Sequence, residues 1–327
     1  MSSNRKIVVI ATGGTIAGVA ASPTDHTGYL AGQLDIAHLV AAIPGLTQAA
    51  GALQLEQLAQ LDSKDMDAAT LARLAQRVAE LLDEEAVQGV VITHGTDTLE
   101  ETAYFLHALL APAKPVVVTC AMRPATALSA DGPQNLLDAV TVARHPGAKG
   151  VLAVCAGAVH GPLDVYKAHP YRLDAFSSGD AGPLAFVEAG RLRVLRAWPE
   201  GHAQRQLLAL LARPWPKVAI VTSHAEATAW MVPALVAAGA QGLVVAATGN
   251  GTVHAALEKA LLEAQQQGLQ VRRAGRCAQG VLVEGASDAV PFFAAYPGLS
   301  PVKVRMALVL ELMGSIGSLG QASVARG

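Results

Sequence analysis

Short apolar runs alternate with amphipathic stretches along this chain. Residues 6–12, 87–93, 114–122 and 150–156 are compact blocks of Val, Ile, Leu and Ala that read as buried strands. Between them, residues 68–82 place Leu71, Leu74, Val78 and Leu81/Leu82 on one stripe of a helix. Residues 98–110 and 131–144 read as further helices, the second ended by His145-Pro146-Gly147. A βαβα rhythm of this kind predicts a mostly parallel sheet covered by helices on both faces.

The rhythm loosens after Gly161. Residues 191–217 are richer in Arg and Pro and end in Arg213-Pro214-Trp215-Pro216, which reads as a connection between domains. A second α/β unit follows, with strands at 218–222, 242–247 and 280–283 and helices at 230–238, 252–267 and 301–313. The tail after Gly314 is expected to fray. The predicted organisation is an α/β protein of two domains. A larger N-terminal domain spans 1–190, a linker 191–216, and a smaller C-terminal α/β domain 217–327.

Composition narrows the function. The 327 residues are 52% hydrophobic, 15% charged and 4% aromatic, with a formal net charge of −2. No Lys/Arg cluster supplies a nucleic-acid footprint. No apolar run approaches the ~18 residues of a membrane span. The start of the chain has no secretory signal, so a cytoplasmic location is expected. Cys120, Cys155 and Cys277 lack metal-ligand spacing and are expected to be free buried thiols. The histidines do not cluster, so no metal site is expected.

Two loops follow buried strands: Ala11-Thr12-Gly13-Gly14-Thr15 and Thr93-His94-Gly95-Thr96-Asp97-Thr98. Both fall where the strands of an open sheet end, the usual place for ligands. Neither G-x-G-x-x-G nor a P-loop is present. The glycines suit a turn and a close backbone approach. Thr98-x-x-Glu101 also reads as a capping box. A threonine nucleophile needs a base and oxyanion donors. Lys167, one of only eight lysines, is a candidate base if its surroundings suit.

These residues resemble the bacterial L-asparaginases of the homotetrameric, threonine-nucleophile family. Residues 10–18 and 91–103 are similar to its two signatures, and Ala121-Met122-Arg123-Pro124 with Ser129-Ala130-Asp131-Gly132-Pro133 to a third block. The resemblance implies hydrolysis of L-asparagine to L-aspartate and ammonia without a cofactor. It implies active sites built by pairs of subunits in a homotetramer of intimate dimers. Thr15 matches the nucleophile, and Thr96, Asp97 and Lys167 the second polar set. Tyr29 matches the tyrosine of a mobile N-terminal loop, with Gly28 and Gly32 as hinges. The N–H groups of Gly14 and Thr96 would form the oxyanion hole. Ser63 and Asp97 would hold the substrate's α-carboxylate and α-amino groups, and the Ala121 carbonyl its leaving amide.

The chain departs from the secreted members at Lys64, where Gln or Glu is usual and where a cation would either draw the substrate's α-carboxylate or point to solvent, and at Thr252, where Asn or Ser occurs. Ser287, or else Glu284 or Asp288, falls near a glutamate that reaches the partner's site. The secreted members' disulfide positions fall near Asp83 and Pro112, which fits a reducing compartment. A dual glutaminase–asparaginase and a catalytically silent amino-acid-binding protein are the alternatives. A tRNA-dependent amidotransferase subunit would want a basic surface that is missing here.

Overall fold

A computed structural model describes residues 5–227, 229–283, 294–295 and 298–324. The chain divides into two compact units, Met1–Leu208 and Ala209–Gly327.

The first unit runs β1 (Lys6–Gly13), α1 (Ile36–Ala41), α2 (Leu46–Ala50), β2 (Ala52–Leu61), α3 (Ala68–Asp83), β3 (Val87–Thr93), α4 (Leu99–Leu110), β4 (Pro115–Thr119), α5 (Gly132–Arg144) and β5 (Gly150–Cys155). Five short strands follow: β6 (Ala158–His160), β7 (Tyr166–Lys167), β8 (Phe176–Ser177), β9 (Ala185–Glu188) and β10 (Arg191–Val194). Eight strands form one sheet in the order β10-β9-β6-β5-β4-β3-β1-β2, while β7 and β8 form a separate ribbon. The run from β2 to β5 is parallel; β6, β9 and β10 continue it antiparallel.

The core explains the rhythm. Ile7, Val9 and Ala11 pack with Leu136, Ala139 and Val140 of α5 and with Ile36 and Leu46 of α1 and α2. Val8 and Ile10, equally buried, lie outside that cluster, as expected for alternate residues turned to the other face. The stripe Leu71, Leu74, Val78 and Leu81 of α3 is buried, and Asp67 caps this helix by accepting from Thr70 N–H at 2.7 Å.

The second unit runs β11 (Val218–Thr222), α6 (Met231–Ala237), β12 (Gly242–Ala247), α7 (Ala255–Gln266), β13 (Gln270–Gly275), β14 (Ala294–Ala295) and α8 (Pro301–Val324). Its strands are parallel in the order β11-β12-β13-β14. Leu243, Val245 and Val271 pack with Leu257 and Leu261 of α7.

Several expectations change. Residues 280–283 are irregular; the sheet position next to β12 belongs to β13, whose Arg272 and Arg273 break the apolar pattern. Helix α8 continues to Val324 instead of ending near Gly314. The stretch 191–217 opens with β10, an edge strand with an exposed face. Cys120 and Cys155 are buried, but Cys277 is exposed.

Candidate active site

Strands β1 and β3 are parallel neighbours with Ala11 opposite Thr93, so both threonine loops leave the sheet at the same end. On the other side of β1, Gly13 stands opposite Leu61, and Ser63 follows two residues later. Three chain segments therefore converge there for topological reasons alone.

The glycines make the convergence close. Gly14 has φ +83°, and a Cβ on it would lie 2.5 Å from both Cα and N of Gly95. Only a residue without Cβ lets the two loops touch in this way. The Gly14 N–H donates to Leu61 C=O at 2.8 Å, and its own C=O accepts from Gly32 N–H at 3.0 Å. The expectation that Gly14 donates to an oxyanion is thereby corrected, because its donor is already engaged. Among the described residues, the N–H groups of Thr15 and Thr96 have no acceptor.

Thr15 opens a single 3₁₀ turn, Thr15–Ala17, and is buried. Its Oγ1 lies 2.7 Å from the Tyr29 hydroxyl, either of which can donate. Tyr29 arrives on the chain between Gly18 and Gly32, a loop pinched at its base by mutual bonds of 2.9 Å between Val19 and Leu30.

The second loop brings a different chemistry. Lys167, on the β7–β8 ribbon, donates to Thr96 Oγ1 at 2.8 Å and to Asp97 Oδ1 at 2.6 Å. The Asp97 N–H donates to Ser63 Oγ at 3.1 Å. Thr98 Oγ1 donates to Ser63 C=O at 2.9 Å and makes no cap bond to its helix, so the capping-box reading is corrected for this hydroxyl. His94 is wholly buried, and burial lowers its pKa to about 4. It is therefore neutral, donating through Nδ1 to Gly95 C=O at 2.7 Å and accepting at Nε2 from Thr102 Oγ1 at 3.0 Å. Its backbone N–H reaches Thr119 C=O at 2.8 Å.

Ala121 lies just beyond β4 and is buried. The N–H groups after it, of Met122 and Arg123, donate to Asp131 at 2.9 and 3.0 Å. Asp131 occupies the N-cap position of α5 yet makes no cap bond, its carboxylate being turned back to this loop. Asn135 ties the same region together, donating to Cys120 C=O and accepting from Ala156 N–H, both at 2.9 Å. Neither role could be read in the sequence, where an Asp before a helix signals a cap.

The structure thus brings Thr15 with Tyr29, and Ser63, Thr96 and Asp97 with Lys167, into two bonded sets on either side of the Gly14–Gly95 contact. Lys64 is exposed, and its ammonium is taken up by Asp62 at 2.9 Å and Asp65 at 3.1 Å. Thr252 belongs to the second unit, where its hydroxyl donates to Thr248 C=O at 3.0 Å. Glu284, Ser287 and Asp288 lie outside the described residues.

A hydroxyl with a neutral hydroxyl partner, a second hydroxyl bound to an ammonium–carboxylate pair, and two unengaged N–H groups suit acyl transfer. Comparison with known proteins points the same way. Residues 6–200 match the family described as "Asparaginase, N-terminal", and residues 217–315 the "Glutaminase/Asparaginase C-terminal domain". The chain is 38% identical to a glutaminase-asparaginase of Pseudomonas fluorescens, over 94% of this chain and 86% of that protein. It is 37% identical to L-asparaginase 2 of Bacillus subtilis, over 94% of this chain and 82% of the relative. A crystal structure described as a probable cytoplasmic L-asparaginase of Campylobacter jejuni superposes with a TM-score of 0.89 at 38% identity, covering 94% of this chain and 95% of the other.

Proposed function

The chain belongs to the asparaginase family, and from that premise we propose that it hydrolyses L-asparagine to L-aspartate and ammonia through an acyl-enzyme on Thr15. The observation that carries the mechanism is the Lys167 ammonium bridging Thr96 and Asp97 beside the Thr15–Tyr29 pair.

In the first half-reaction, Thr15 Oγ1 attacks the side-chain amide carbon. Its proton passes by way of the Tyr29 hydroxyl, 2.7 Å away, to the nitrogen that leaves as ammonia. The carbonyl oxygen takes up negative charge opposite the N–H groups of Thr15 and Thr96. In the second half-reaction water attacks the ester and the bond to Thr15 Oγ1 breaks; the proton that water gives up returns to Thr15 Oγ1 by way of the Thr96 hydroxyl, which the Lys167 ammonium orients. Asp97 fixes the ammonium and, with Ser63, offers partners to the substrate's α-amino and α-carboxylate groups. The Ala121 carbonyl is assigned to the leaving amide. Thr252, with Glu284 or Ser287, is assigned to a site completed by a second copy of the chain, in a homotetramer of intimate dimers.

The two domains are taken as 1–190 and 217–327, joined by 191–216. A cytoplasmic location is part of the reading. In support, the Campylobacter jejuni relative is described as probable cytoplasmic. A relative in Haemophilus influenzae is named as periplasmic, so fractionation of cells is the check.

The second reading, a dual glutaminase–asparaginase, is favoured by the relatives that carry that name. One methylene is discriminated by only ~1–3 kcal/mol in an apolar pocket. Ammonia release from L-asparagine and L-glutamine separates the two. A kcat/KM ratio above about a hundred supports the asparaginase, and a ratio near one the dual enzyme. Thr15→Ala should lose at least about a thousandfold in kcat, ~4 kcal/mol, with the fold retained. A loss within tenfold would remove Thr15 from the mechanism.

A further inference from the structure

The Thr15–Tyr29 pair depends on how the chain from Gly18 to Gly32 is held. Residues 21–24 and 27–28 of this loop are exposed, and Leu30 is 67% exposed. Beyond its pinched base the loop has few ties to the rest of the first unit. From one side, Thr126 Oγ1 accepts from Ala20 N–H at 2.9 Å, and Leu128 N–H donates to Pro23 C=O at 3.1 Å. From the other side, the Tyr171 hydroxyl lies 3.1 Å from His26 Nδ1.

These two sides belong to segments already tied to the site. Thr126 sits on the loop between Met122 and Asp131, which Asp131 closes on Met122 and Arg123. Tyr171 sits on the ribbon loop four residues after Lys167, between β7 and β8. His26 is three residues before Tyr29. The contact between His26 and Tyr171 therefore joins the segment that delivers Tyr29 to Thr15 with the segment that delivers Lys167 to Thr96.

We propose that Tyr171 and Thr126 are positioning residues for the reaction: through His26 and Ala20 they hold the Tyr29 hydroxyl on Thr15 Oγ1. The proposal rests on the reading of Thr15 as nucleophile. Neither residue touches the reacting atoms. Each holds one end of the exposed arc that carries Tyr29, and the hydroxyl–hydroxyl distance follows from both.

Tyr171→Phe keeps the ring and removes the hydroxyl; Thr126→Val keeps the shape and removes the acceptor. Each should lower kcat/KM for L-asparagine about threefold to tenfold, the effect of one ordinary hydrogen bond. In a Tyr29→Phe background the same two changes should alter kcat/KM by less than about twofold, since no hydroxyl is left to position. Equal losses in both backgrounds, or no loss in the wild-type background, would overturn the proposal. A second measurement needs no turnover: chymotryptic cleavage after Tyr29 should speed up at least about threefold when both ties are removed. An unchanged cleavage rate also overturns it. If instead cleavage responds as expected while the wild-type chain releases no ammonia from any amide, the functional reading fails and the structural tie stands.

Discussion

The two threonine loops leave neighbouring strands and touch at Gly14 and Gly95, yet they are held in opposite ways. The loop from Thr93 to Thr98 is braced from all sides. His94 bonds to Thr119, Gly95 and Thr102, while Ser63 and Lys167 hold Asp97, Thr98 and Thr96. Thr15 has one side-chain partner among the described residues, the hydroxyl of Tyr29, and it arrives on an exposed loop. The same residue type is set beside a fixed charge pair in one case and beneath a neutral cover in the other. A rigid charged set suits proton handling, which needs constant geometry. A neutral, detachable partner suits a nucleophile that must meet a substrate entering and a product leaving.

If that division holds, damage to the two loops has different signatures. The largest effect is the loss of at least about a thousandfold expected for Thr15→Ala; next comes Lys167→Met, which leaves Thr96 beside a carboxylate that has lost its ammonium. Proton-transfer groups typically contribute 10²–10⁴-fold, and a loss of at least about a hundredfold in kcat is expected. A loss below tenfold would take Lys167 out of the chemistry. Combined with Thr15→Ala, the losses should fall well short of multiplying, because residues acting as a unit are not additive.

Gly95→Ala and Tyr29→Phe then separate structure from function. A Cβ at Gly95 would run into Ser63 Oγ and lie 2.6 Å from Ser63 Cβ. Overpacking of this kind costs ~1–3 kcal/mol, so Gly95→Ala should lower Tm as well as activity. Tyr29→Phe should lower kcat at least about tenfold and leave Tm within about two degrees, because a single part-buried hydrogen bond is lost. If both variants lose stability alike, the contrast between the loops is broken.

Acidification probes the braced loop directly. His94 is held by burial at a pKa of about 4, below the ~6.5 of an unfolded chain. The unfolded chain therefore takes up a proton between pH 6.5 and 4 that the folded one refuses. Stability from this site is complete above about pH 6.5 and drains away as pH falls toward 4, in total ~3 kcal/mol. His160, also held near 4 by burial, adds to the same slope. Tm measured from pH 7 to 4.5 should fall steadily, and a flat profile would contradict the neutral, buried His94.

The smallest effect is expected at Lys64. Its ammonium is exposed and already shared by Asp62 and Asp65, and such surface pairs are worth little. Lys64→Gln should change KM for L-asparagine by less than about twofold; a larger rise would return Lys64 to the substrate site.

How much of this was legible in the sequence follows from range. β1, β3, β5 and β12 stood out because each is a largely apolar run buried on both faces. β13 did not, because Arg272 and Arg273 occupy its middle and Arg272 pairs with Glu311 of α8. β9 and β10 are short and partly exposed at the sheet edge, so no apolar signal marked them. At the site, the two loops and Lys167 could be nominated by residue type and resemblance. Their wiring could not, since Ser63 with Asp97, Lys167 with Thr96, and His26 with Tyr171 meet only after the chain has folded. The engaged N–H of Gly14 likewise depends on the register of β1 against β2.

The most direct test of the division between the loops is to trap the covalent intermediate. Enzyme mixed with L-asparagine and quenched in acid within the first turnover, then digested and mapped by mass spectrometry, should carry an aspartyl ester on Thr15, more abundant in Lys167→Met if the second half-reaction is slowed more than the first. An ester found on Thr96, or full turnover with no ester on either threonine, would contradict the account.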